Sequence, residues 1–384
     1  MSVSQFAILS RFHPPSSYGQ PRVISRLIKD LPPTRYGLLS VPHIDPALAR
    51  LSKEPQLPPG PYHQVTWGYI PYTLGGGKLN LGKTLSRATR WVLAIAARRR
   101  GIEIAKILEL HNYHLLIACS GDPVDLPAAM WASRRTGVPF VAYLFDDFIE
   151  QWNSLPTYRD FAAEQEPRCV AAATASIVSN RALAEIYSFR YGIAPFVLSN
   201  PYGFSAAVNK TKIARDKCLE KTIVFTGTVY EANHQPLRNL IAAIDRCGSD
   251  WRLKIFSATP ESEIQAAGIA GPHVDFGGHL QEAEVASTQA EADLLFLPLS
   301  HDTPYPALIS SSLPGKMAEY MASGTLILVN APGESYIASY FRLNQCGILV
   351  DKADPFELEI ALDRIAENPQ CYEKFSRAAK ARAS

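Results

Sequence analysis

The chain has 384 residues, 47% hydrophobic, 19% charged and 10% aromatic, with a formal net charge of +2. That length suits two domains, and the composition excludes a disordered or low-complexity chain. Six scattered cysteines with no CxxC pair exclude a disulfide framework or a cysteine-based zinc site, and no apolar run nears the ~20 residues of a transmembrane helix, so a reducing cytoplasm is expected.

The N-terminus, MSVSQFAILSRFHPP, lacks the basic and apolar regions of a signal peptide, and FAILS reads as a first buried strand. Further apolar runs follow at Tyr36–Ser40, Leu115–Ser120, Pro139–Leu144, Ser176–Ser179 and Phe196–Leu198. Helical patterns such as Val124–Arg135 and Arg181–Arg190 lie between them. Buried strands alternating with helices imply a parallel sheet covered on both faces.

Two segments of this half stand apart. Lys53–Lys83, with LPPGPYHQ and LGGGKLNLGK, reads as a long functional or mobile loop; its GGGK lacks the preceding strand and the GK[ST] ending of a phosphate loop. TLSRATRWVLAIAARRRGIEIAKIL is strongly helical and sets Leu85, Trp91, Val92, Ile95 and Ala96 beside Arg87, Arg90, Arg98, Arg99 and Arg100. Such a helix either packs on the sheet with its arginines in water or lies on an anionic membrane. Residues 1–205 carry +7 and residues 206–384 carry −5, which suits an anionic partner for the first half.

After the polar stretch SAAVNKTKIARDKCLE the pattern restarts. The second series is Thr222–Thr226, Trp251–Ser257, Val274–Phe276, Asp293–Leu297, Leu326–Val329 and Ile348–Val350. The expected fold is therefore α/β, with two doubly wound Rossmann-like domains at 1–203 and 221–384 and a linker at 204–220. Ligands of such sheets bind at the carboxyl ends of the strands, which predicts a cleft between facing domains.

SSLPGKMAEYMASG, Ser311–Gly324, carries the most specific chemistry. Pro314 suits a first helical position and Ser312 an N-cap. Gly315 and Lys316 then offer N–H groups at the positive end of the helix dipole, where glycine lets an anion approach. Ser312, Gly315 and Glu319 share a face at i, i+3 and i+7, Met317 and Met321 turn to the core, and Gly324 closes the helix. A diphosphate at the tip and a ribose held by Glu319 would use every polar element, while a capped structural helix with Glu319 in solvent fits the same residues.

These stretches resemble the nucleotide-sugar glycosyltransferases of the GT-B fold, family 4 type (group 1). The likeness is carried by TIVFTGTVYEANHQPLRNLIAAI, VDFGGHLQEAEVASTQAEADLLFLPL, LPGKMAEYMASGTLILV and CGILVDKADPFELEIAL in the second half. In the first half FHPPSSYGQPRVISRLIKDL, GVPFVAYLFDD, ASIVSNRALAEIY and FVLSNPYGF carry it. The resemblance implies that the second domain binds the donor and the first the acceptor, and that a last helix packs back on the first domain.

It implies a hexosyltransferase-type enzyme working with retention, in polysaccharide or glycolipid assembly, with no bound metal, no cofactor and no nucleic-acid partner. Its partners are a nucleotide sugar and a sugar or lipid-linked acceptor, with an anionic membrane surface as a further candidate at the inner face of the membrane. Glu319 matches the second of the family's two spaced glutamates, and Ser311 stands where the first would be. Thr228 follows Gly227 where the family often has arginine and lysine, so Lys316 or Arg22 would neutralise the diphosphate. Gly19 is implied to approach the donor.

Asp146, at the end of PFVAYLF, matches an aspartate of the family and either orients or deprotonates an acceptor hydroxyl or caps the next helix. His111 and His114 form an HxxH that is too sparse for a metal site; His13, His279 and His301 fall near strand ends. The competing functions are a non-catalytic sugar-nucleotide-binding partner subunit and a nucleotide-sugar epimerase of the same fold.

Overall fold

A computed structural model describes residues 5–12, 19–41, 59–65, 83–202, 221–247, 250–303 and 305–383. The linker expected at 204–220, His13 and most of the loop expected at 53–83 lie outside the described residues. The chain divides into two units, Met1–Pro201 and Tyr202–Ser384.

The first unit runs β1 (Phe6–Leu9), α1 (Gly19–Ile28), β2 (Tyr36–Ser40), β3 (Tyr62–Gln64), α2 (Lys83–Leu110), β4 (Leu115–Cys119), α3 (Asp125–Thr136), β5 (Phe140–Leu144), α4 (Pro156–Ala172), β6 (Ala175–Val178), α5 (Arg181–Tyr191) and β7 (Phe196–Val197). Its seven strands lie in the order β3-β2-β1-β4-β5-β6-β7, and every pairing is parallel. The order reverses between β1 and β4. Strand β3 was not expected: Tyr62–Gln64 sits in the segment read as loop. Three residues on a sheet edge leave too short a run for periodicity to show.

Short polar contacts set where these elements begin and end. Asn180 Oδ1 accepts the Leu183 amide at 3.0 Å and starts α5. Beyond β5, the Phe145 amide donates to Ser120 Oγ and Ser179 Oγ donates to the Phe145 carbonyl, so the neighbouring strand ends β4 and β6 fix the β5 terminus. Apolar side chains fill both sheet faces: Leu93, Ile104, Leu116, Leu126 and Phe140 in one cluster, Ile8, Ile24, Leu38 and Tyr143 in the other.

Helix α2 corrects the expected apolar side. Leu93, Ala96, Ala97, Ile104, Ala105 and Leu108 are buried, at helical spacing. Trp91 and Val92, expected on that side, are exposed. Arg100, expected in water, is fully buried and paired with Asp125 and with Asp122 at 3.2 Å. An arginine this deep is tolerable because two carboxylates share its guanidinium.

The second unit runs β8 (Lys221–Thr226), α6 (Glu231–Ile244), β9 (Trp251–Phe256), α7 (Glu261–Ala266), β10 (Val274–Gly278), α8 (Glu282–Glu291), β11 (Leu294–Pro298), α9 (Pro306–Ser311), α10 (Lys316–Ser323), β12 (Leu326–Asn330), α11 (Tyr336–Asn344), β13 (Ile348–Val350), α12 (Pro355–Glu367) and α13 (Glu373–Ala383). Its six strands are again all parallel, ordered β10-β9-β8-β11-β12-β13, so the order reverses between β8 and β11. Phe225, Leu253, Leu294 and Leu358 pack one face; Val224, Leu295, Met317 and Tyr320 pack the other. Helix α13 lies against α10 and β12 of its own unit, with Ala379 buried. Among the described residues no helix is long and apolar enough to cross a membrane.

Candidate active site

The carboxyl ends of β8 and β11 flank the point where the second sheet changes direction, the usual place for a ligand in an open α/β sheet. Pairing between these strands runs through Ile223 and Val224. At Thr226 the backbone amide donates instead to the Tyr320 hydroxyl of α10, at 2.9 Å, and Gln289 Nε2 donates to Thr226 Oγ1 at 3.0 Å. The Tyr320 hydroxyl thus acts where a sheet carbonyl would, and it anchors α10 across the end of β8. Sequence reading missed Tyr320; its signal was a polar-tipped aromatic beside the Met317–Met321 stripe.

One turn earlier on α10, Lys316 reaches the next residue of the same strand end. Gly227 has φ of 118°, a conformation glycine adopts at little cost. A Cβ added there would meet Lys316 Cε at 3.2 Å and Nζ at 3.3 Å, so the absence of a side chain is what lets the amine in. The amine also lies 3.7 Å from the centroid of the buried Phe225 ring. Burial pushes the Lys316 amine down to about 7, and the Glu319 carboxylate one turn on partly opposes the shift. A cationic group is thereby placed at the glycine turn even though the turn's own sequence, GTVYEANHQ, has none.

The tip of α10 is built differently from the expectation. Ser312 does not cap it. Pro314 disfavours helical geometry at Leu313, so the chain breaks into two helices: α9 ends at Ser311, Ser312 is extended, and α10 begins at Lys316 after Gly315. Ser312 therefore leaves the face shared by Gly315 and Glu319, and Ser311 is buried at the end of α9 rather than presented at the tip. The loop expected before the ligand helix contains α9. The Met317 amide donates to the Pro314 carbonyl at 2.9 Å, and the Gly315 and Lys316 amides lie ahead of it. Gly315 is exposed, and a Cβ built on it would meet open space. Gly324 ends the helix at φ of 69°, as expected.

The surrounding loops are pinned. Thr228 is exposed, and its carbonyl accepts Asn233 Nδ2 at 3.2 Å. The Gln235 side-chain oxygen accepts the amides of His301 and Asp302 at 2.9 and 3.0 Å, tying the β11 loop to α6. Burial lowers the His301 imidazole from its ordinary value.

In the first unit the two aspartates after β5 divide their roles. Asp147 is buried; its Oδ1 accepts the amides of Ile149 and Glu150, and its Oδ2 takes Arg190 Nη2 at 2.6 Å. Arg190 also donates to Glu166 at 2.8 Å, and the Tyr187 and Tyr191 hydroxyls donate to the same carboxylate. Asp147 is thus the cap. Asp146 is half-buried, and burial together with the negative charge of Asp147 pushes it up to about 6. Gly19 begins α1, exposed and with open space around its α-carbon.

The Asp147 assignment makes a testable contrast. Asp147→Asn breaks a buried, hydrogen-bonded ion pair and should lower unfolding stability by about 2–4 kcal/mol, tempered by the Glu166 bond that Arg190 keeps. Urea unfolding measures it; a change below experimental error would remove Asp147 from its structural role.

The HxxH histidines do not converge. His111 packs against His63 with ring centroids 4.2 Å apart and the rings tilted by 46°, and the His114 amide donates to the Gln5 carbonyl. Among the described residues no group of three histidine, cysteine or carboxylate side chains is placed to hold a metal ion.

The sequence of residues 220–368, which contains the whole β8–β11–α10 site, matches the family of glycosyl transferases, group 1. Solved structures agree in fold over nearly the full chain. HepE of Anabaena, crystallised in complex with UDP and glucose, superposes with a TM-score of 0.65 at 14% identity, covering 99% of this chain and 95% of that one. A glycosyltransferase from Rickettsia africae gives 0.64 at 11%, covering 100% and 94%. WaaG, a glycosyltransferase involved in lipopolysaccharide biosynthesis, gives 0.60 at 13%, covering 98% and 95%. Residues 220–368 are thus similar in sequence to the group 1 glycosyl transferases, and the chain shares the fold of these solved structures. No curated protein matches it in sequence. The family match falls on the unit whose switch point carries Gly227, Lys316 and the α10 tip.

Proposed function

We propose that the second unit binds a nucleoside diphosphate sugar, with the diphosphate on Gly227, Thr228, Gly315 and Lys316 and the ribose on Glu319. The glycosyl group then passes, with retention, to an acceptor hydroxyl on a sugar or lipid-linked carrier in polysaccharide or glycolipid assembly. One observation carries this reading: the Lys316 amine lies against Gly227 at the strand-order reversal, beside an open helix tip.

Each element suits the charge that the reaction develops. As the glycosidic bond breaks, negative charge grows on the leaving diphosphate. A fixed cation and helix-terminal N–H groups stabilise that charge without reorganising. Glu319, i+3 from Lys316, shares its side of the first turn and offers two acceptor oxygens to ribose hydroxyls. In the first unit Asp146 has an elevated affinity for a proton and ends a strand at the sheet's carboxyl edge. It is the group assigned to orient or deprotonate the acceptor hydroxyl.

The deciding experiment is a panel of nucleotide sugars, followed by isothermal titration for binding and by product analysis for turnover. Micromolar binding of one donor, with glycosyl transfer that keeps the donor's anomeric configuration in the product, is expected. Binding without turnover across acceptors would favour a partner subunit, and release of an epimeric monosaccharide would favour an epimerase. Failure of every nucleotide sugar to bind would sink the proposal.

A further inference from the structure

The two aspartates after β5 adjoin a polar cluster in which one cation serves two acids. Arg190 of α5 donates through Nη2 and Nη1 to Asp147 Oδ2 and Oδ1, at 2.6 and 3.3 Å. The same Nη1 donates to Glu166 Oε2 of α4 at 2.8 Å. Glu166 is fully buried and also takes the Tyr187 and Tyr191 hydroxyls. The Tyr187 hydroxyl in turn accepts the Phe148 amide at 3.2 Å. Two carboxylates thus share one guanidinium, and one negative charge is left over beside Asp146.

Asp146 is treated differently. No described side chain donates to its carboxylate. Both of its neighbours, however, are pinned. Phe145 is held by Ser120 Oγ and Ser179 Oγ, and Asp147 by Arg190 and the amides of Ile149 and Glu150. The Asp146 backbone cannot shift without breaking bonds on one side or the other.

We propose that Arg190 and Glu166 are positioning residues for Asp146, acting through Asp147: they fix where its carboxylate stands and keep an uncompensated negative charge next to it. This rests on the reading of Asp146 as the group that handles the acceptor hydroxyl.

The chemistry explains the composition of the cluster. A buried ion pair adds little stability over apolar side chains of the same volume, so three ionised groups and two tyrosines are a costly way to join α4 to α5. They are an effective way to hold a neighbouring base. A carboxylate that must take a proton from a hydroxyl gains from a raised proton affinity and a fixed position. Glu166 supplies the first by competing with Asp147 for Arg190; with Glu166 neutral, the Asp147 charge would be fully matched. Burial and the Asp147 charge already push Asp146 up to about 6. Of the other charged groups nearby, Glu150 is met by Arg159 at 3.0 Å, and Arg134 and Arg168 act on the buried Cys169 thiol.

The test follows the Asp146 carboxyl by ¹³C NMR in the full chain labelled at aspartate, with the resonance assigned through Asp146→Asn. Glu166→Gln removes a negative charge and should lower the Asp146 midpoint by about half a unit to one unit, the effect of one charge acting through partly hydrated protein. Arg190→Gln removes the cation and should raise it by a similar amount, and Arg190→Lys should return it toward the wild-type value. A purely structural cluster would lose stability to urea in all three variants and leave the midpoint where it was. Should Arg190→Gln fail to fold, Glu166→Gln still decides. An Asp146 midpoint unmoved in folded Glu166→Gln, or moved upward, would overturn the proposal. The acidic limb of kcat is the second readout. Limbs that track the NMR midpoints support both the cluster's role and that of Asp146. Midpoints that move while the limb stays fixed would support the cluster's hold on Asp146 and remove Asp146 as the base.

Discussion

Replacing Lys316 with methionine is expected to lower kcat/KM by about 10²–10³-fold, the scale seen when one preorganised stabiliser of a developing oxyanion is removed. Affinity for the nucleoside diphosphate should fall by about 10–100-fold, as for a lost charge-assisted hydrogen bond. The fold should survive. Methionine keeps most of the aliphatic stem that lies along Gly227 and over Phe225, and it removes an amine whose charge burial disfavours. The direction of the stability change separates this account from a structural one. The folded-state amine titrates at about 7, below the ordinary lysine value of 10.5. Between those values the unfolded chain binds more protons, so the lysine protein gains stability as pH rises through that window. At neutral pH and below, the half-buried ammonium is a liability, and Lys316→Met should raise the melting temperature there. A merely structural lysine would lower it.

The same amine makes donor binding pH-dependent. A diphosphate beside Lys316 raises its proton affinity, so the complex takes up a proton when it forms above about pH 7. Affinity is complete below that value and falls as pH rises, approaching tenfold per unit until the bound-state value is reached. Isothermal titration in buffers of different ionisation enthalpy reads the uptake directly. Lys316→Met should show neither the uptake nor this pH slope. An unchanged slope in the variant would mean that the diphosphate sits elsewhere.

Most of the scaffold was legible because buried parallel strands leave apolar runs that no surface constraint interrupts. Lys221–Thr226 and Leu326–Asn330 are examples, and their observed ends lie within a residue of those read from sequence. The end of α10 at Gly324 was legible because helix termini have local chemistry. What sequence could not give was where side chains arrive from afar. Lys316 meets Gly227 across 89 positions, and Tyr320 meets Thr226 across 94, through tertiary packing alone. The break at Ser312 was available locally, since Pro314 already forbade a continuous helix, but the serine's capping propensity outweighed it in the reading. Arg100 was misplaced for the opposite reason. It belongs to an arginine run that looks solvated, and only the fold supplies Asp122 and Asp125.

The adjacent aspartates of the first unit carry the second large effect. Asp146→Asn should reduce kcat by about 10²–10⁴-fold, the usual contribution of a general base, while donor affinity stays at the wild-type value. Asp146 binds its proton at about 6, so the wild-type rate should rise with pH through that value and level off above it. The asparagine variant's residual rate should lack this acidic limb. Stability again gives a readout that chemistry alone does not. The folded-state value lies above the ordinary 3.8, so above pH 6 the ionised carboxylate, crowded by Asp147 and part-buried, is less stable folded than its neutral form. A neutral isostere should then be more stable than wild type at pH 7, whereas Asp147→Asn, which strips Arg190 of a partner, should be less stable. Two neighbouring carboxylates with opposite effects on stability would mark one as fitted to the fold and the other as held against it, the condition expected of a group kept for its chemistry. If Asp146→Asn retained its rate, the acceptor hydroxyl would have to be handled by another group, with the donor's own diphosphate oxygen as the nearest chemical alternative.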